Sequence, residues 1–147
     1  MKIFISSDHA GFELKEKLKI FLAELGHEVK DFGAFSFDEN DDYPDFINPL
    51  AEEISRSPEE AKGIILGGSG QGEAICANRF KNVRAAVLHH FSEDIIKLSR
   101  RHNDANVLSL AARFLNEDEA KKAVKLWLET DFSGEERHSR RIKKIDE

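Results

Sequence analysis

The chain is poor in the residues that staple, break or anchor a polypeptide. A single cysteine, Cys76, in 147 residues excludes an internal disulfide and a cysteine-based zinc site, and fits a reducing compartment. With only three prolines, and 40% hydrophobic against 34% charged residues, there is no proline-rich linker or low-complexity tract, so residues 1–147 are expected to form one globular domain. No run approaches the roughly 18 consecutive apolar residues of a membrane span. Met1-Lys2-Ile3-Phe4-Ile5-Ser6 leads into a strand pattern without a signal-peptide cleavage site, so the expected location is the cytoplasm and no membrane partner is expected. Positive charge is also short: a net charge of −6 disfavours nucleic acid, whose phosphates must be neutralised, but leaves room for a local basic patch that takes a small phosphate.

What is present is an alternation of short apolar runs with amphipathic stretches, the pattern of βαβ units and a mostly parallel sheet. Five strands are expected: Lys2–Ser6, Glu28–Phe32, Gly63–Leu66, Ala85–Leu88 and Val107–Leu110. Between them, Leu14, Leu18, Phe21, Leu22 and Leu25 recur at helical spacing with Gly26 placed to end the helix, and Phe46, Ile47, Leu50, Ala51 and Ile54 form a second stripe after Pro44. Ser57-Pro58-Glu59-Glu60 has the form of a capping box and predicts a short helical turn before the third strand. Ser92 and Asn116 are N-cap candidates for helices near 93–101 and 117–129, and the charged segment from Gly134 to Glu147 is expected to be a solvated tail.

In open α/β sheets ligands bind beyond the carboxyl ends of the strands, so the residues there carry the chemistry. The third strand runs into Gly67-Gly68-Ser69-Gly70-Gln71-Gly72-Glu73. Its glycines let the backbone approach a ligand, and a following helix would present free N–H groups to an anion, with Glu73 rather than a P-loop lysine at the edge. The plainer alternative is a tight strand-to-helix turn. A glutamate in the first helical turn is stabilised as an anion, so a role as base requires a compensating, partly desolvated pocket.

After the first strand, Asp8 could hold sugar hydroxyls and His9 could donate to phosphate, or the two could be a helix cap and an incidental histidine. His102 and Asn103 could serve proton transfer and hydroxyl binding, or simply close a helix. His89-His90 lacks further ligands at metal spacing, and Asp38-Glu39-Asn40-Asp41-Asp42 fails as a calcium loop, with Tyr43 at the sixth place and Pro49 at the twelfth. Cys76 fits a small buried hydrophobe better than a reactive thiol.

Several of these pieces stand in register with a known family. Ser7-Asp8-His9-Ala10-Gly11, Asp42-Tyr43-Pro44, the glycine loop, Ala77-Asn78-Arg79, Arg101-His102-Asn103-Asp104-Ala105-Asn106 and Arg137-His138-Ser139-Arg140-Arg141 resemble the type B ribose-5-phosphate isomerases, a family that includes the galactose-6-phosphate isomerase subunits. The resemblance implies a Rossmann-like three-layer αβα sandwich without cofactor or metal, working as a homodimer or dimer of dimers. Active sites would be shared, with residues from about 134 to 147 reaching the partner.

It implies interconversion of ribose 5-phosphate and ribulose 5-phosphate through a cis-enediolate. A six-carbon sugar phosphate such as allose or galactose 6-phosphate, or binding without catalysis, stays open. By this likeness His102 assists ring opening, Asp8 and Asn103 hold hydroxyls, and Ser69 with the backbone of Gly70, Gln71, Gly72 and Glu73 forms an anion hole. His9, Arg113, Arg137 and Arg141 would bind phosphate, with Tyr43, Gly68 and His138 also lining the substrate. Some members carry a cysteine as base where this chain has Gly67; the likeness is to the branch that uses the glutamate, which assigns the base to Glu73 and leaves Cys76 no inherited role.

Overall fold

A computed structural model describes residues 1–147. The strands are β1 (Lys2–Ser7), β2 (Glu28–Asp31), β3 (Ala61–Gly67), β4 (Ala85–Leu88) and β5 (Val107–Ala111). The helices are α1 (Phe12–Glu24), α2 (Pro44–Arg56), α3 (Gln71–Ala77), α4 (Glu93–Arg101), α5 (Glu117–Glu129) and α6 (Glu136–Ile145), with a 3-10 turn at His9–Gly11. The sheet has the order β2-β1-β3-β5-β4 and every pairing is parallel, so the expected αβα sandwich is confirmed and "mostly parallel" becomes fully parallel.

Strand periodicity distributes the core to both faces. Ile3, Ile5, Ile64, Leu66, Leu108 and Leu110 pack with Leu18 and Leu22 of α1 and Trp127 of α5, while Phe4, Ile65 and Val107 meet Ile47, Leu50 and Ile54 of α2 and Ala77 of α3. The N-cap expectations hold: the Ser92 side chain accepts from Ile95 N, and Asn116 forms a full capping box with Glu119. Two local expectations fail. Ser57–Glu60 is a turn closed by Glu60 N to Ser57 O at 3.1 Å, because β3 begins at Ala61 and leaves no length for a helix. The segment expected to be a solvated tail contains α6, anchored by the buried His138.

Helix α1 is tied to β2 by a buried ion pair. Lys15 is fully buried, with Nζ 2.7 Å from Asp31 and 2.9 Å from Glu16, and Asp31 also receives Lys19 at 2.7 Å and Gly33 N at 2.8 Å. Burial pushes the Asp31 carboxyl upward, but the two lysines and the Gly33 N–H outweigh it and hold it below its ordinary value of 3.8.

Asp31→Ala strands the Lys15 ammonium in the core. It should lower unfolding free energy by about 3 kcal/mol, the low end for a broken buried pair, because Glu16 still reaches the lysine. Since the folded carboxyl is held low, its contribution is complete above the ordinary value and fades as pH falls through the folded one, so the penalty should shrink in acid. Denaturation followed by the fluorescence of Trp127, the only tryptophan and fully buried, measures this; equal midpoints at neutral pH would refute it.

Candidate active site

The chain leaves β1 toward β2 on one side, and returns to place β3 on the other, so the crevice between the carboxyl ends of β1 and β3 is where the strand order reverses. Gly11 closes this crevice: a methyl group there would lie 2.6 Å from Leu66 Cβ, so the 3-10 turn sits directly against the end of β3. Asp8, 6% exposed, caps that turn, with Oδ1 accepting from Ala10 N at 2.9 Å and Gly11 N at 3.3 Å. The cap reading of Asp8 is correct, and its Oδ2 makes no hydrogen bond within the chain.

Glu73 is 4% exposed although it lies in the first turn of α3. Its carboxylate fills the volume that a side chain on Gly67 would take: a methyl group at Gly67 would fall 1.8 Å from Oε1 and 2.4 Å from Oε2. Burial raises the Glu73 pKa, its own backbone N–H pulls the other way, and the charge of nearby Asp8 adds to the rise. The desolvated setting that a base at a helix start requires is present.

The remaining glycines of the loop each admit one neighbour. Gly68 lies under Arg113, whose Nη1 would be 3.0 Å from a methyl there, and Gly72 lies under the Tyr43 ring, at 2.7 Å from such a group. Gly70 has φ +74°, and its carbonyl accepts from Ser109 Oγ at 2.6 Å, which pins the loop to β5. The N–H groups of Gly68, Ser69 and Gly70 donate to nothing within the chain, and Ser69 Oγ accepts only from Gln71 N, at 3.4 Å. These donors and a dry carboxylate around one crevice can take an anion and move a proton.

His9 stands at the rim, its Nδ1 2.6 Å from Asp41 Oδ1, and the Phe37 ring meets it edge-on at 6.3 Å. Asp8, His9 and Asp41 bring three ligand-type atoms within 4.8 Å of one another, but the histidine nitrogen and the Asp41 oxygen already face each other as a hydrogen bond. Asp41 and Ser109 were missed by sequence reasoning. Asp41 was weighed only as part of an acidic run, and no local periodicity ties it to a histidine 32 residues earlier. Cys76 is half-buried, with its thiol pushed up by burial and then by the Glu73 charge, which agrees with an inert packing residue.

His102, Asn103, Arg137, His138 and Arg141 are not in this crevice. His102 caps the C-terminus of α4, where the chain turns into the amino end of β5, so it lies at the opposite pole, about 15 Å or more of strand away. Arg84 fixes that turn by donating from Nε to Asn103 O at 3.1 Å and Asp104 O at 2.9 Å. The His102 and His138 rings stack at 4.2 Å and 17°, which attaches α6 to the same pole. Burial, then the His102 charge, keeps the His138 pKa low, and its Nε2 has no partner. On α6, Arg137 pairs with Glu135 and Arg140 with Glu136, which leaves Arg141 unpaired.

Residues 3–145 match the model of the ribose/galactose isomerase family. Ribose-5-phosphate isomerase B of Mycolicibacterium paratuberculosis is 40% identical over 142 residues, 97% of this chain and 87% of that protein. The crystal structure of ribose-5-phosphate isomerase B from Mycoplasma genitalium with bound ribulose-5-phosphate superposes with a TM-score of 0.92 at 41% identity, covering 98% of this chain and 93% of that one. The ribose 5-phosphate isomerase of Thermotoga maritima gives 0.90 at 45% identity, over 99% and 97%. Full-length similarity in both sequence and fold, on a chain whose glycine loop and buried glutamate share one crevice, places this protein in the ribose/galactose isomerase family of sugar phosphate isomerases.

Proposed function

We propose that the chain interconverts ribose 5-phosphate and ribulose 5-phosphate through a cis-enediolate, with Glu73 as the base. The observation that carries this is the Glu73 carboxylate, buried against Gly67 at the edge of the donor-rich loop. The similarity to an isomerase crystallised with ribulose-5-phosphate supports the choice of sugar. A C–H beside a carbonyl is a very weak acid, so its removal needs a positioned base and simultaneous stabilisation of the oxyanion.

Glu73 takes the C2 proton of the open-chain aldose, and the electron pair left behind forms the C1=C2 bond and places charge on O1. Ser69 and the N–H groups from Gly70 to Glu73 hold that oxygen, each such donor being worth about 3 kcal/mol. The O2 proton passes to O1, Glu73 returns its proton to C1, and the ketose is complete. Asp8 holds sugar hydroxyls, Tyr43, Gly68, Gln71 and Gly72 wall the reacting end, and His9 with Arg113 takes the phosphate.

His102, Asn103, Arg137, His138 and Arg141 enter from a second copy. One chain holds them at the wrong pole, whereas a homodimer can set the His102 end of one protomer over the Glu73 end of the other. His102 then assists ring opening and the arginines complete the phosphate clamp.

Glu73→Gln should reduce kcat by about 10³-fold with little change in KM, and should abolish uptake of deuterium at C1 or C2 from labelled water. Exchange that persists in the variant would remove Glu73 from the mechanism. Because its pKa is raised, activity should fall on the acid side at a pH above the ordinary glutamate value of 4.5. Gly67→Ala should cost kcat while the tryptophan fluorescence of the folded state is retained, since the added methyl displaces the end of a side chain rather than backbone.

Mixing Glu73→Gln and His102→Ala subunits should restore about a quarter of wild-type activity, because half the dimers are mixed and each has one of two sites intact. No recovery after proven subunit exchange would show that sites are not shared.

A further inference from the structure

The buried carboxylate of Asp41 is used by none of the steps above. It lies between β2 and α2, its side chain is 8% exposed, and its Oδ1 accepts from His9 N at 3.1 Å while standing 2.6 Å from His9 Nδ1. Oδ2 is buried with no partner, and neither a lysine nor an arginine pairs with this residue. An anion so placed has one counter-charge within reach, and that is the imidazolium of His9.

We propose that Asp41 is a positioning residue: it grips His9 through both the backbone N–H and Nδ1, and so commits Nε2 as a donor to the phosphate of the substrate. The inference rests on the sugar-phosphate reading of the site. Two atoms of one residue bound to one carboxylate oxygen fix the position and the plane of the ring, and Phe37 packs edge-on against it. Only Nε2 is left to face a ligand.

The charged groups that face His9 are Asp8 on its own turn, Asp41 from the loop before α2, and Arg113 from the turn after β5. The hydrogen bond to Asp41 is the largest influence and raises the histidine above its ordinary 6.5; burial and Arg113 oppose it, and Asp8 adds to it. The sign follows. A raised value extends upward the pH range in which the ring is cationic, and the charge is lost only as pH rises through that higher value, so the device matters most where a free histidine would already be neutral.

Asp41→Asn tests this with little change of shape, because the amide oxygen can still accept from both His9 donors while the charge is gone. NMR titration of the ligand-free proteins should find His9 above 6.5 in the wild type and displaced downward in the variant. Calorimetry with inorganic phosphate should show about tenfold weaker binding near pH 7.5, the loss of a charge-assisted donor, and a smaller difference near pH 6. In turnover the same loss should appear in KM, with kcat within about twofold.

An unchanged His9 titration, or phosphate affinity that does not respond to the substitution at either pH, overturns the proposal. Asp41→Ala separates charge from scaffold: if the alanine variant matches the asparagine one in the His9 titration, charge is the agent, whereas a normal titration in Asn with a defect only in Ala makes Asp41 a loop tether. The titration and phosphate arms need no turnover, so a protein inactive on ribose 5-phosphate would refute the isomerase reading and still judge this one.

Discussion

A carboxylate must lose most of its water to become a useful carbon base, yet it must stay within reach of the donors that hold the resulting oxyanion. In this protein the burial of the Glu73 carboxylate beside the donor-rich loop depends on a missing side chain. Gly67 ends β3, and the space beside its Cα is occupied by the Glu73 carboxylate, which is thereby folded back under the loop that it closes. The start of α3 favours the anion, but a helix of seven residues has a weak dipole, while burial and the charge of Asp8 favour the proton. Burial prevails, and the group is left more basic than a surface glutamate. The same economy governs the rest of the loop, where Gly68 and Gly72 give their volumes to Arg113 and Tyr43. Any one β-carbon added there would displace one of these side chains before it disturbed the core.

The second constraint is directional. In a sheet of parallel strands every strand ends at one pole and every crossover helix returns to the other, so the order of residues along the chain decides which pole a side chain can reach. Asp8, the glycine loop and Arg113 follow strands, and they converge. His102 follows a helix, α4, and stacks on His138 in the first turn of α6, so these two converge elsewhere. The separation arises from the topology itself rather than from a rotamer, and no side-chain motion in one protomer removes it.

This explains which parts of the molecule were legible in the sequence. Central strands buried on both faces, β1, β3 and β5, announce themselves as apolar runs, and these three and the two edge strands were located to within about two residues at either end. N-caps with a local hydrogen bond, Ser92 and Asn116, were equally plain. Helix α6 was not: Glu136-Arg137-His138-Ser139-Arg140-Arg141-Ile142-Lys143-Lys144-Ile145 has too few apolar residues to show a stripe, and what holds it is a ring stack across 36 positions of sequence. The Asp41–His9 contact and the Ser109 lock on Gly70 are also long-range and polar, and polar contacts leave no periodic trace. The glycine loop was readable as a motif. That Gly67 and Glu73 occupy one shared volume was not.

The distribution of positive charge ties the two constraints together. In a chain of net charge −6, Arg137 and Arg140 are engaged by glutamates one helical turn or less away, whereas Arg79, Arg101, Arg113 and Arg141 have no carboxylate partner. Two of these unneutralised guanidinium groups stand at opposite poles, Arg113 over Gly68 and Arg141 on α6. An unpaired arginine on an acidic surface gains little from its own chain, but two brought to one phosphate dianion would form charge-assisted, bidentate contacts far stronger than either makes in water. One protomer cannot bring them together, since the sheet stands between them. Two protomers packed pole to pole can, and the same arrangement would set His102 over the crevice that holds Glu73. On the proposed function, the free arginines at the two poles favour the same assembly as the proposed shared site.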